Sequence, residues 1–143
     1  DFRPERAEPL YEIAKYYREN KKYALGYLYS KHASEIDLPK EDILFVSKDV
    51  YDWKIWDERS ICAFYMRKRA EAFNISCLLL EQRRGSIPEN QIPRLQRNKA
   101  YGAHHILEDN PLEKYNENIV KAIDENVKKR KVEYYDWKAF DTV

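Results

Sequence analysis

The sequence predicts an all-α chain in which antiparallel helix pairs stack as a short right-handed solenoid. Three observations predict it. Apolar residues recur at spacings of three and four through six segments. No segment alternates apolar and polar residues convincingly, as a half-buried strand does. The links between periodic segments are short, which makes neighbouring helices antiparallel.

Residues 6–19 form the first expected helix, with Leu10, Ile13, Ala14 and Tyr17 on one apolar face. Pro9 falls in its first turn, where a missing N–H costs little. Asn20, Lys21 and Lys22 make a short connection. A second helix follows over residues 23–36, with Leu25, Leu28, Tyr29, His32, Ala33 and Ile36 expected on its buried side. Pro39 stops it from extending. Residues 37–49 are a break, and its run Ile43 to Val46 reads as a brief extended segment or buried loop. Asp49 is placed to cap a third helix over residues 50–66. A fourth covers residues 69–83, with Gly85 as its expected C-terminal cap. Ser86 to Glu89 is a turn. Residues 90–107 form a fifth helix with Pro93 in its first turn, and residues 112–130 a sixth. The domain runs over residues 1–131. The tail, 132–143, carries Tyr134, Tyr135, Trp137 and Phe140 without a period and is expected to cap the helices or dock on a neighbour.

Composition narrows the function. The 143 residues make about one domain, with 43% hydrophobic and 36% charged residues, as in a helical protein with a solvated surface. The opening Asp1, in place of Met, is expected of a fragment or processed product. Three dispersed glycines do not build a phosphate-cradling loop. A net charge of +1 provides no general attraction for nucleic acid or anionic lipid. The basic runs Arg67 to Arg69 and Lys128 to Lys131 read as solvated helix ends. No apolar run is long enough to span a membrane, and the cytoplasm is the default location. Cys62 and Cys77 sit among apolar neighbours and read as small core residues rather than a disulfide framework.

A repeat emerges on self-comparison. Close-packed helix pairs of the tetratricopeptide kind place small residues at positions eight, twenty and twenty-seven of a unit of about 34 residues. With Ala7 as position one, these are Ala14, Gly26 and Ala33, while Leu10, Ile13 and Tyr17 take large positions. Ser30 departs at position twenty-four. With Trp53 as position one, Trp56, Ser60 and Ala72 match, while Arg59, Ala63 and Leu79 depart. The two units start 46 residues apart, so the break before the third helix holds an insertion.

The ordered motifs RPERAEPL (Arg3 to Leu10), Tyr16-Tyr17, Leu44-Phe45-Val46, DVYDW (Asp49 to Trp53), DERSI (Asp57 to Ile61) and RLQRN (Arg94 to Asn98) carry a family resemblance. They resemble the tetratricopeptide-like region found after the catalytic domain of certain family 2 glycosyltransferases and related multidomain proteins. The resemblance implies a helical appendage to an enzyme. In that family a separate nucleotide-sugar domain uses an Asp-x-Asp motif to hold a divalent metal. No Asp-x-Asp occurs in this sequence, so no catalytic residue carries over.

The remaining chemistry is sparse. Adjacent helical residues His104 and His105 point about 100° apart and are poorly set to share one ion, so no metal is expected. No cofactor is expected either. The cysteines have no orienting base nearby. With 25 acidic residues, chance carboxylate pairs are common, which weakens any glycosidase-like reading of Glu8, Asp42, Asp49 or Glu58. If the first helix of each unit lines a groove, its exposed positions include Tyr11, Lys15 and Arg18, then Asp57, Phe64 and Tyr65. A mixed-charge, tyrosine-bearing groove suits a peptide or protein partner, or a catalytic domain of the same polypeptide. The expected function is therefore a non-catalytic interaction or scaffold module. The alternative is a domain that recognises the acceptor of a glycosyl transfer.

Overall fold

The computed structural model describes residues 6–39, 46–109 and 121. Among these residues the chain is all helical, with five α-helices and no strand. They are α1 (Ala7–Glu19), α2 (Tyr23–Ser34), α3 (Ile55–Tyr65), α4 (Arg69–Gln82) and α5 (Ile92–Asp109). Residues 43–45 of the expected loop, the tail over 132–143 and the expected sixth helix lie outside the described residues, apart from helical Lys121.

Each helix packs against the next in sequence, and α1 also rests on α3. The three-residue links of the first two pairs force each helix to turn back on its predecessor. The two turns are built alike. Tyr17 and Arg18 carbonyls accept from Lys22 and Lys21 N–H at 2.8 and 2.9 Å. Ala63 and Phe64 carbonyls accept from Lys68 and Arg67 N–H at 2.8 and 3.0 Å. Lys21 and Arg67 are both left-handed, with φ of 59° and 63°. This is the Schellman closure of a helix C-terminus, repeated 46 residues on. Here a long cation, rather than the usual glycine, takes the left-handed site. Helix starts and ends in the two pairs keep a similar offset, α2 and α4 beginning at Tyr23 and Arg69.

The small residues sit in the helix seams. Ala14, Ala33 and Ser60 are buried, as are Gly26 and Ala72. Gly26 has no positive φ; what it supplies is room. A Cβ there would stand 2.7 Å from Cys62 Sγ and 3.4 Å from the Ala14 carbonyl oxygen. Ser30 and Leu79, two of the four departures from the small-and-large pattern, are also fully buried. Ser30 donates to the Tyr27 carbonyl at 3.2 Å, which satisfies its hydroxyl inside the seam.

Between the pairs, α3 is entered through a π-helical turn, Val50–Lys54, in which Ile55 N–H reaches back to the Val50 carbonyl. The wider turn inserts an extra residue. Tyr51 and Trp53 are both buried here. Tyr51 joins Ala7, Tyr11, Ala33 and Ile55 in one cluster, while Trp53 joins Ile75, Leu79, Ile92 and Leu95 in another. Asp49 caps the turn, its carboxylate accepting from Val50 N–H at 3.1 Å. Its pairing with Lys54 at 2.7 Å holds that carboxyl below the usual range. The Tyr51 hydroxyl accepts the Ala7 N–H at 3.0 Å and donates to Glu8, which is also paired with Arg6, so a distant tyrosine closes the open start of α1.

Three expectations are corrected. Gly85 does not close α4 in a left-handed cap; it lies in a 3₁₀ turn, Arg84–Ser86, after the helix has ended. Arg69 is not a solvated helix end. It begins α4, buried, with its guanidinium 5.0 Å from the Phe64 ring centroid. His32 is exposed rather than packed inward.

Candidate interaction surface

The expected groove is largely closed by the helices themselves. Tyr11, Arg18, Asp57 and Phe64 are buried, so they line seams between helices and not a free groove. Lys15 and Tyr65 are half-buried. Tyr65 stacks on Tyr23 with ring centroids 4.3 Å apart. Phe64 meets His105 edge-on at 5.9 Å.

Two ion pairs explain the closure. Arg18 of α1 grips Glu58 through Nε and Nη2, both at 2.8 Å. Arg94 of α5 grips the adjacent Asp57 through Nη1 and Nη2, at 3.1 and 2.6 Å. Neighbours on one helix point about 100° apart. One carboxylate therefore faces the preceding seam and the other the following one. Burial pushes the Glu58 carboxyl above its ordinary range, against the pull of Arg18. The Tyr11 phenol is raised strongly by burial and then by the nearby carboxylates, so it stays protonated. The four charged groups are structural in position: each is already satisfied by a neighbouring helix.

On the other face of the first pair, large apolar side chains are open to solvent. Tyr16 and Leu28 are each 61% exposed, Leu25 is 40% and Ile13 is 38%. They are contiguous. Ile13, Tyr16 and Tyr17 share one stripe of α1, and Leu25, Leu28 and Tyr29 share one of α2. Tyr17 bridges the stripes, stacking on Tyr29 at 5.7 Å and meeting Tyr16 edge-on at 5.7 Å. Large exposed apolar side chains gathered on one face make it the candidate interaction surface. Ile13, Leu25 and Leu28 correct the expectation that they are buried. Helix α2 carries two apolar stripes, one small and one large, and the small one faces the seam. Nothing in helical periodicity chooses between them. The small-residue register would have chosen, since Gly26, Ser30 and Ala33 are the residues turned inward.

The other candidate groups are dispersed. Among the described residues no three His, Cys, Asp or Glu side chains converge as metal ligands. His104 is exposed and His105 buried. Cys62 is buried, and burial pushes the half-buried Cys77 thiol up, away from the reactive thiolate. Among the described residues no helix is long and apolar enough to cross a membrane. Compared with family models, curated proteins and solved structures, the chain matches none.

Proposed function

We propose that the chain is a non-catalytic helical-repeat module that holds a protein partner, its two helix pairs forming part of a tetratricopeptide-like right-handed solenoid. The open apolar face of α1 and α2 carries this reading. Support for the repeat comes from the two like-built turns 46 residues apart and from small residues buried in both seams. The resemblance read from the motifs suggests a family 2 glycosyltransferase domain as the neighbour that such a module would hold or present to a partner. A second reading, recognition of a glycosyl acceptor, draws on Tyr16. Its ring is open, and aromatic faces stack on sugars.

Site-specific photo-crosslinking tests the reading. A benzophenone side chain at Leu28 should capture a defined protein in the native cell, and one at exposed Gln96 should not. Equal capture at both positions refutes the assignment of the face. The second reading calls for shifts at Tyr16 on titration with acceptor saccharides, and their absence rejects it. The transferase association predicts an adjoining nucleotide-sugar-binding domain in the same reading frame.

A further inference from the structure

The internal repeat says what kind of occupant the open face is shaped for. Each exposed residue of the first pair has a counterpart 46 positions later in the second. Tyr16 corresponds to Cys62, Ile13 to Arg59 and Leu25 to Glu71. All three counterparts touch α2 of the pair before them. Cys62 Sγ lies against Gly26 so closely that a Cβ there would be 2.7 Å away. Arg59 donates to the Ser34 hydroxyl at 2.9 Å. Glu71 accepts from the Tyr27 hydroxyl at 2.9 Å. In the second pair, then, these positions are the seat of a helix with a small-residue seam. In the first pair the same seat stands open and its polar members have become apolar. Asn74, the counterpart of the fourth exposed residue, Leu28, is itself exposed and marks the edge of the seat.

We infer that the open face of α1 and α2 seats an amphipathic helix of a partner protein, with small side chains along the contacting stripe and no charge within it. This inference rests on the interaction reading above and specifies the partner. The small stripe follows from α2, which presents Gly26, Ser30 and Ala33 to the equivalent seat. The lack of charge follows from Ile13 and Leu25, which offer no group to pair with a buried ion. A second copy of the chain is the poorer occupant. Face-to-face docking would set Tyr16 and Leu28 against the same large side chains instead of a seam they can fill.

The probe is a helix-stapled peptide with the α2 sequence in which Tyr27→Phe and Ser34→Ala remove the polar groups. The control peptide also carries Gly26→Leu, which fills the seam. Titrated into the full chain, the probe should bind below about 1 mM. The control should bind at least about tenfold more weakly. Tyr16→Glu or Leu25→Glu in the chain should weaken the probe by a similar factor, with far-UV circular dichroism unchanged. Asn74→Glu should leave it unaltered. Equal binding of both peptides, or none, overturns the helix seat. A dimer in sedimentation equilibrium that Tyr16→Glu dissolves overturns it in favour of self-association. If crosslinking at Leu28 captures a partner while the probe fails, the interaction reading survives and the helix seat does not.

Discussion

Replacing Gly26 with alanine measures how closely the first helix pair meets α3. The change has two opposing effects. Alanine favours a helix over glycine by about 1 kcal/mol, and the backbone at Gly26 has no positive φ to penalise it. Against this, the added Cβ would lie 2.7 Å from Cys62 Sγ. Cys62 is fully buried, so the sulfur has little freedom to retreat. Overpacking a close-fitted site costs about 1–3 kcal/mol, so a net loss of about 1 kcal/mol is expected. Cys62→Ala removes the obstructing atom. The remaining neighbours, the Ala14 carbonyl oxygen and Arg18 nitrogen, are at 3.4 and 3.5 Å, ordinary contact distances. In that background Gly26→Ala should become neutral or stabilising by up to about 1 kcal/mol. Urea denaturation of the four chains of the cycle, with equal slopes, gives the coupling directly. Stabilisation by Gly26→Ala in the native background refutes the packing argument. So does additivity within about 0.5 kcal/mol.

Three further outcomes follow from the buried polar groups. Glu58→Ala leaves Arg18 buried without its carboxylate and should cost about 3–5 kcal/mol in chemical denaturation; Arg18→Met combined with Glu58→Leu should recover most of that loss, and an equally unstable double variant rejects the pairing. The Glu58 carboxyl is raised by burial, so between the unfolded value of ~4.3 and its higher folded value the native chain binds more protons. That group therefore lowers stability as pH rises through this window, and stability-against-pH curves should lose this component in Glu58→Gln; parallel curves would contradict it. Tyr51→Phe strips the Ala7 N–H of its acceptor and Glu8 of a donor. Thermal unfolding should report a loss of about 1–2 kcal/mol, and an unchanged midpoint would remove Tyr51 from the closure of α1.

The helices were legible because period and punctuation agree. All five described helices lie where the apolar spacing puts them, with ends within about two residues of those expected, except that the third opens with the π-helical turn Val50–Lys54 and becomes α-helical only at Ile55. The small positions Ala14, Gly26 and Ala33 are buried, as the repeat register requires. Other features were not legible, for identifiable reasons. The π-helical turn at Val50–Lys54 leaves no mark in composition, because any residue set that tolerates a helix tolerates one wide turn. Leu25 and Leu28 look like core residues in isolation, and only the covering of the other stripe by α3 turns them outward. Tyr11, Arg18 and Asp57 look like groove residues until α3 and α5 supply their partners. Charge on one helix reveals nothing of the helix that will meet it.

Adjacent Asp57 and Glu58 fix more than two contacts. A hydrocarbon cylinder can roll against its neighbours with modest loss, since one greasy surface resembles another. Helix α3 has no such freedom. Any turn about its long axis that kept Glu58 on Arg18 would keep Asp57 on Arg94 only at the original setting, and a roll in either direction strands a charge away from water. Helix α3 is thus keyed in azimuth by polarity, and the angle at which α3 and α4 follow α1 and α2 is inherited from that key.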